Sequence, residues 1–163
     1  MVELYSFIFL NILGVMSPGP DFAIVTRYGL TGSRKAALFA TFGIVCALVV
    51  HVIYCVSGVA LFLNSSPQWL LVIKFLGGIY LTYLGLTMVL TYRAQKIVSE
   101  ENLTNGAFSS GFFTNLLNPK ATVFLLSLFG LYAQAMDSLF MKIAFAVSIP
   151  IIALSWFTLL SFM

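Results

Sequence analysis

Ser17-Pro18-Gly19-Pro20-Asp21 interrupts an apolar stretch near the start of the chain, and Asn118-Pro119-Lys120 interrupts another. Proline has no backbone N–H and clashes with the preceding turn, so each motif is predicted to break a helix. Inside a bilayer the freed backbone groups must bond to protein or to water in a cavity. Paired breaks in corresponding positions of two half-molecules are typical of a transporter's binding site. The sequence therefore predicts a membrane carrier whose site lies at the two breaks.

The composition supports insertion into a membrane. The 163 residues are 61% hydrophobic and 8% charged, and the mean hydropathy is +1.05. An ordinary soluble domain is about 25% charged. The net charge of +3 comes from few residues and gives no ground for nucleic-acid binding.

Five apolar segments have about the 20 residues that a membrane-spanning helix needs. They lie at about 4–26, 36–63, 68–92, 106–132 and 139–163. The expected fold is therefore all-α and polytopic, with five transmembrane helices in a single transmembrane domain over residues 1–163.

The distribution of basic residues predicts the orientation. The separators after the first and third segments carry Arg27, Arg34, Lys35, Arg93 and Lys96, whereas the separator after the second segment has no charge. Lysine and arginine are concentrated in cytoplasmic loops, so the N-terminus is predicted to lie outside.

Aligning Pro20 with Pro119 gives an offset of 119 − 20 = 99 residues, which matches the first segment to the fourth and the second to the fifth. A three-helix unit reverses its orientation when it is repeated, so an inverted repeat is expected. Repeat one would cover residues 1–92 and repeat two residues 104–163. Repeat two is then expected to be incomplete, because its third helix, the sixth of the fold, would have to follow residue 163. Either that helix has been lost, or the chain is a fragment, or the fold works with five helices.

Each break is predicted to expose the N-terminus of a half-helix within the membrane. Gly19 and Asn118 suit the N-cap position, and Pro20 and Pro119 suit the first helical position. The N–H groups and the positive dipole end of such a helix can bind a carboxylate. In the alternative interpretation the prolines only bend the helices.

Asp21 and Lys120 place one acid and one base at the two breaks. A carboxylate inside a span is costly, about 2.5–3.5 kcal/mol, and therefore needs a partner or a cavity. The pair is complementary to a zwitterion, with Asp21 binding its ammonium group and Lys120 its carboxylate. We expect the two side chains to pair with each other when substrate is absent, and a purely structural pair is the alternative.

Two more polar residues are candidates for the same site. His51, the only histidine, can relay protons together with Asp21, or can bond to a neighbouring helix as a structural residue. Asn115 lies one helical turn before Asn118 and can line a cavity or stabilise the break. The predicted substrate-binding residues are Pro18, Gly19, Pro20, Asp21, Asn115, Asn118, Pro119 and Lys120.

Several other chemistries find no support in the sequence. No Walker-type phosphate loop and no nucleophile–base pair is present, so no enzymatic activity is predicted. One histidine and the two thiols Cys46 and Cys55, on opposite faces of a helix, make a metal or haem site improbable. No cofactor is expected.

Longer motifs surround both breaks. They are Gly14-Val-Met-Ser-Pro-Gly-Pro20, Gly32-Ser-Arg-Lys35, Gly43, His51, Gly77-Gly-Ile-Tyr-Leu-Thr-Tyr-Leu-Gly85 and Gly111-Phe-Phe-Thr-Asn-Leu-Leu-Asn-Pro-Lys-Ala121. In these motifs the chain resembles the lysine exporter / homoserine–threonine resistance (LysE/RhtB) family of bacterial amino-acid exporters. The resemblance implies an efflux carrier of the bacterial cytoplasmic membrane for amino acids or close derivatives, driven by the proton gradient. Members usually have six spans, and this sequence departs from that number.

Two functional hypotheses follow. The first is a secondary exporter that alternates access around the two breaks, with an amino acid as substrate, a proton as coupling ion and the bilayer as surroundings. The second is a truncated membrane remnant that inserts but does not transport. Homo-oligomerisation is compatible with both.

Overall fold

The computed structural model describes residues 2–30, 33–65, 75, 79, 106–136 and 138–163, with the backbone alone at 59–65. Within these ranges all regular secondary structure is helical, which confirms the predicted all-α fold for this part of the chain. The predicted third span at 68–92 lies outside the described residues, apart from Phe75 and Ile79.

The first half begins with a broken helix. Helix α1 (Val2–Met16) and helix α2 (Pro20–Leu30) meet at an angle of 55° at the Ser17–Gly19 break. The Ser17 hydroxyl ends α1 by donating to the Gly14 carbonyl at 2.8 Å. Helix α3 (Arg34–Ser65) follows as one uninterrupted element.

The second half has the same order of elements. Helix α4 (Ala107–Leu116) is separated by Leu117 and Asn118 from helix α5 (Pro119–Leu131). A short 3-10 turn at Ala133–Ala135 leads to the long helix α6 (Leu139–Phe162). The predicted breaks at Pro20 and Pro119 are therefore both confirmed as helix starts.

Two described helices are long and apolar enough to cross a membrane on their own, Arg34–Gly58 within α3 and Leu139–Phe162. The bent pair α1 and α2 makes a third crossing if it is one span, and α5 is a shorter apolar helix. The count of five spans stays a prediction. Large apolar side chains such as Phe9, Ile53 and Phe140 are exposed on the outside, as expected for a surface that faces lipid.

The half-helices of each half of the chain pack against the other half, an arrangement we call exchanged packing. In each half the first half-helix packs against the long helix of the other half, α1 on α6 and α4 on α3. The second half-helices do the same, α2 on α6 and α5 on α3, and α1 contacts α5 as α4 contacts α2. The two breaks are thereby brought into contact with each other.

An aromatic cluster holds α1 in this exchanged position. The Phe7 ring stacks on Phe145 of α6 with centroids 4.2 Å apart. The same ring makes edge-to-face contacts with Phe129 of α5, at a centroid distance of 5.7 Å, and with Tyr132, at 5.4 Å. Phe7, Phe129 and Phe145 are fully buried, so the cluster joins the first helix to the second half.

Helices α3 and α4 approach closely because glycines lie at their crossing. A Cβ atom added to Gly43 would lie 2.7 Å from the Phe112 backbone nitrogen, and one added to Gly111 would lie 2.8 Å from the Ala40 carbonyl carbon. Small residues are favoured where membrane helices touch, because lipid provides no hydrophobic drive and close van der Waals contact stabilises the pair.

Gly43→Ala is expected to destabilise the protein by about 1–3 kcal/mol, because the new methyl group would force two backbones apart. Gly58→Ala, in the same helix, is the matched control, since a Cβ there meets nothing within 4 Å. Thermal unfolding of the two purified variants in detergent would measure the difference. Equal unfolding temperatures would show that the crossing tolerates a methyl group.

Candidate functional site

The second break has a complete helix N-cap. Asn118 has φ −75° and ψ 106°, and its side-chain Oδ1 accepts the Lys120 backbone N–H at 3.0 Å. Pro119 occupies the first helical position, where its missing N–H costs nothing. The prediction of Asn118 as N-cap is confirmed.

The first break is built in a similar way around Gly19. Its carbonyl accepts the Ala23 N–H at 2.9 Å, as the residue before α2 should. A Cβ on Gly19 would lie 3.0 Å from the Lys120 ammonium nitrogen and 3.3 Å from Lys120 Cδ. The absence of a side chain therefore lets Lys120 of the other half lie against this break.

Asp21 reaches from the first break to the second. Its Oδ2 accepts hydrogen bonds from Asn115 Nδ2 at 2.9 Å and from Asn118 Nδ2 at 3.2 Å. Asn118 thus caps α5 with its oxygen and binds the Asp21 carboxylate with its nitrogen. The other oxygen, Oδ1 of Asp21, is buried and has no hydrogen-bond partner among the described residues.

Lys120 reaches in the opposite direction. Its ammonium donates to the backbone carbonyls of Ser17 and Pro18, both at 3.0 Å, and to the Ser17 hydroxyl. Both carbonyls lie in the break between α1 and α2, so the ammonium satisfies acceptors that the break leaves open.

The direct Asp21–Lys120 pair expected without substrate is therefore a wrong prediction. Among the described residues the carboxylate bonds to two asparagine amides and the ammonium to the broken end of α1. The physical reason is that each break supplies uncharged partners close by. The carboxylate has amide N–H donors, and the ammonium has backbone carbonyl acceptors. Both charged groups nevertheless line the same cavity.

His51 supports the site from α3 without a hydrogen bond to Asp21. Its Nε2 lies 3.2 Å from the Asn115 carbonyl oxygen, and its Nδ1 bonds to the Tyr54 hydroxyl. A carbonyl only accepts, so Nε2 carries a proton and donates to it. The imidazole is buried and holds the end of α4, from which Asn115 extends to Asp21.

The cavity between the breaks has a volume of about 50 Å³. Its polar lining residues are Asn11, Ser17, Asp21, Asn115, Asn118 and Lys120. Gly19 also lines it, Pro18 contributes a carbonyl to Lys120, and Pro20 and Pro119 start the half-helices. The predicted residues are thus gathered at one place.

Sequence reasoning missed three residues of this region, Asn11, Ser17 and Tyr54. Asn11 had a usable signal, because it stands alone as an amide in the apolar run of α1. The sequence carries no signal for the contact of Ser17 with Lys120 or for the bond of Tyr54 to His51.

Long apolar helices around a charged, amide-lined cavity are typical of integral membrane proteins that move solutes. The chain matches the family model of the LysE type translocator over residues 12–163. It belongs to that family, as the sequence motifs indicated.

Curated relatives support the same assignment. A threonine efflux protein of Escherichia coli (strain K12) is 29% identical over 157 residues, which is 93% of this chain and 76% of the relative. An uncharacterized membrane protein of Haemophilus influenzae is 30% identical over 151 residues, covering 86% of this chain and 70% of the relative. A leucine efflux protein of Klebsiella pneumoniae is 29% identical over 118 residues, covering 71% and 56%. No solved structure matches the chain.

Proposed function

We propose that the protein is a secondary transporter that exports amino acids or close derivatives across the bacterial cytoplasmic membrane. The observation that carries the proposal is the cavity in which a carboxylate from one broken helix and an ammonium from the other lie together. The relatives named as threonine and leucine efflux proteins support this substrate class.

The charges of the site match those of an amino acid. The substrate ammonium would bond to Asp21, whose Oδ1 has no partner among the described residues. The substrate carboxylate would bond to the Lys120 ammonium and to the N-terminal N–H groups of α2 and α5. Lys120 would then exchange its carbonyl partners at Ser17 and Pro18 for a charged one, and charge-assisted hydrogen bonds are the stronger kind.

The exchanged packing of the two halves favours an inverted repeat, with residues 1–92 and 104–163 as its units. Each contact that a half-helix makes with the other half of the chain has a counterpart, which is what a pseudo-two-fold axis requires. Rocking of one half against the other would open the Pro20/Pro119 centre alternately to the two sides. The N-terminus faces outward in this arrangement, as the basic residues predict.

Transport requires the cavity to change size. Its volume of about 50 Å³ is a third of the roughly 150 Å³ that holds benzene in an engineered protein core. An amino acid therefore enters only when the half-helices separate.

Coupling to protons is part of the proposal. Asp21 is the carboxylate that can exchange a proton for a substrate ammonium, since both use the same oxygen atoms. Asn115 links His51 to Asp21. The imidazole bonds to the Asn115 backbone carbonyl, and the Asn115 side-chain amide donates to the Asp21 carboxylate. His51 acts either as a relay or as the support that positions Asn115.

Efflux from cells tests the proposal. Cells that lack their own threonine exporters and overproduce the protein are loaded with a threonine-containing dipeptide, and external threonine is followed over time. We expect faster threonine release than from cells with empty vector, and release at the vector rate from the Asp21→Asn variant. If the parental protein reaches the same membrane level as the variant and still releases threonine no faster than the vector control, that result would favour a non-transporting remnant.

A further inference from the structure

Asn11 is a buried amide that the site described above does not use. It lies in α1, its side chain is 0% exposed, and it lines the cavity between the breaks. Both its Nδ2 and its Oδ1 are buried without a hydrogen-bond partner in the described part of the chain. Buried polar groups are nearly always paired, so an amide with both ends open requires an explanation.

The position of Asn11 separates it from the charged groups. Asn11 precedes Ser17 by six positions along the chain (17 − 11 = 6), which is about 9 Å of helix rise. Gly14 lies between them, and the Phe124 ring fills the space that a Gly14 side chain would take, with Cε2 at 2.6 Å from an added Cβ. Asn11 is therefore at one end of the cavity, and Asp21 and Lys120 are at the other.

The remaining lining away from the breaks is apolar. It includes Leu48, Phe124, Ile149 and Phe157. Among the described lining residues, Asn11 is the polar one that belongs to neither break. A single amide in an apolar pocket fixes orientation and specificity for a small ligand.

We propose that Asn11 binds the side chain of the transported amino acid and selects short side chains that carry a hydroxyl or a carboxamide. The inference rests on the proposed export function, in which the substrate's α-groups occupy Asp21 and Lys120. Asn11 lies on α1 about 9 Å of helix rise before the break, and the cavity that it shares with the charged groups has a volume of about 50 Å³. A cavity of that size suits a side chain of one or two carbons.

Threonine and valine are the matched pair of probes, because they share a shape and differ by a hydroxyl in place of a methyl. The Asn11 amide can both donate to and accept from the threonine hydroxyl. Valine leaves the amide desolvated and unpaired, and a site built to bond a hydroxyl strongly rejects the analogue that lacks it.

The test uses purified protein in proteoliposomes preloaded with labelled threonine or valine, with initial efflux measured down the concentration gradient. We expect the parental protein to release threonine at least about tenfold faster than valine. Asn11→Leu keeps the branched shape and removes both hydrogen-bonding groups, so the ratio should fall to about one, with slower threonine and faster valine release. Ser155→Ala, which removes a hydroxyl bonded within α6, should leave the ratio unchanged.

The unfolding temperature of Asn11 variants distinguishes substrate binding by Asn11 from a structural role. Since Asn11 has no partner to lose in the described part of the chain, Asn11→Leu should unfold in detergent at the parental temperature or above it. Failure of both Asn11→Leu and Asn11→Ala to accumulate in the membrane would show a structural residue and overturn the inference.

The transport outcomes distinguish the two proposals. An unchanged threonine-to-valine ratio in Asn11→Leu, or a parental ratio near one, would overturn the assignment of Asn11 and leave the export function standing. If the parental protein released neither amino acid, the export function would fail and the Asn11 assignment with it.

Discussion

Replacing Asp21 with asparagine is expected to reduce threonine export about 30-fold or more, while the variant folds and inserts normally. Asparagine has the same shape and keeps an oxygen that can accept from Asn115 and Asn118, so the bonds between the two breaks persist. It lacks the negative charge that would bind the substrate ammonium. Truncating one partner of a desolvated charge pair costs about 2–5 kcal/mol, and each 1.4 kcal/mol is about a factor of ten.

The measurement is the initial rate of threonine efflux from proteoliposomes, per amount of inserted protein. Glu3→Gln is the matched control, because it removes an exposed carboxylate from the first turn of α1. A second comparison isolates ammonium recognition: 3-hydroxybutyrate lacks the α-ammonium and should compete far more weakly than threonine for the parental protein. In Asp21→Asn that gap should disappear. Parental transport rates in Asp21→Asn would remove the carboxylate from the mechanism.

Replacing Lys120 with methionine is expected to reduce export by a similar factor and also to lower stability. Methionine has a similar length and no charge, so the substrate carboxylate loses its ammonium partner. The carbonyls of Ser17 and Pro18 lose their donor as well. Hydrogen bonds to charged groups contribute about 1.5–3 kcal/mol each, so the unfolding temperature in detergent should fall, unlike that of Asp21→Asn.

A purely structural role for Lys120 would give the same loss of stability, so the decisive readout is carboxylate recognition. Threonine amide lacks the carboxylate and should compete poorly with threonine in the parental protein. In Lys120→Met the two should compete equally. Lys142→Met, in the first turn of α6, is the control for removal of a lysine. If Lys120→Met still prefers threonine over its amide by the parental factor, Lys120 holds α1 and does not contact substrate.

The helix breaks could be predicted from the sequence because their causes are local. Proline at position 119 after an asparagine is enough to specify a capped helix start, and the structure has one. The same local rules placed Asp21 and Lys120 at the breaks, and the matched order of elements in the two halves predicted that the breaks would meet.

The partners of the charged groups could not be predicted in the same way. Asp21 bonds to Asn115 and Asn118, and not to Lys120, because the packing of α2 against α4 places those amides within 2.9–3.2 Å. Distances of that size depend on contacts between residues about a hundred positions apart, which periodicity and composition do not encode. Asn11 is visible in the sequence as a lone amide in an apolar run, but only the packed structure shows that its amide atoms have no partner among the described residues.

The stacking of Phe7 on Phe145 has a consequence for biosynthesis. The two rings are 145 − 7 = 138 residues apart, and ribosomes add about 5–20 residues per second. For roughly 7–28 seconds, at that rate, the nascent α1 and α2 are in the insertion machinery or the bilayer before α6 exists to cover them. Until synthesis passes α4 and the second break, the Asp21 carboxylate also lacks its partners Asn115 and Asn118, so the growing chain depends on its surroundings to shelter that charge.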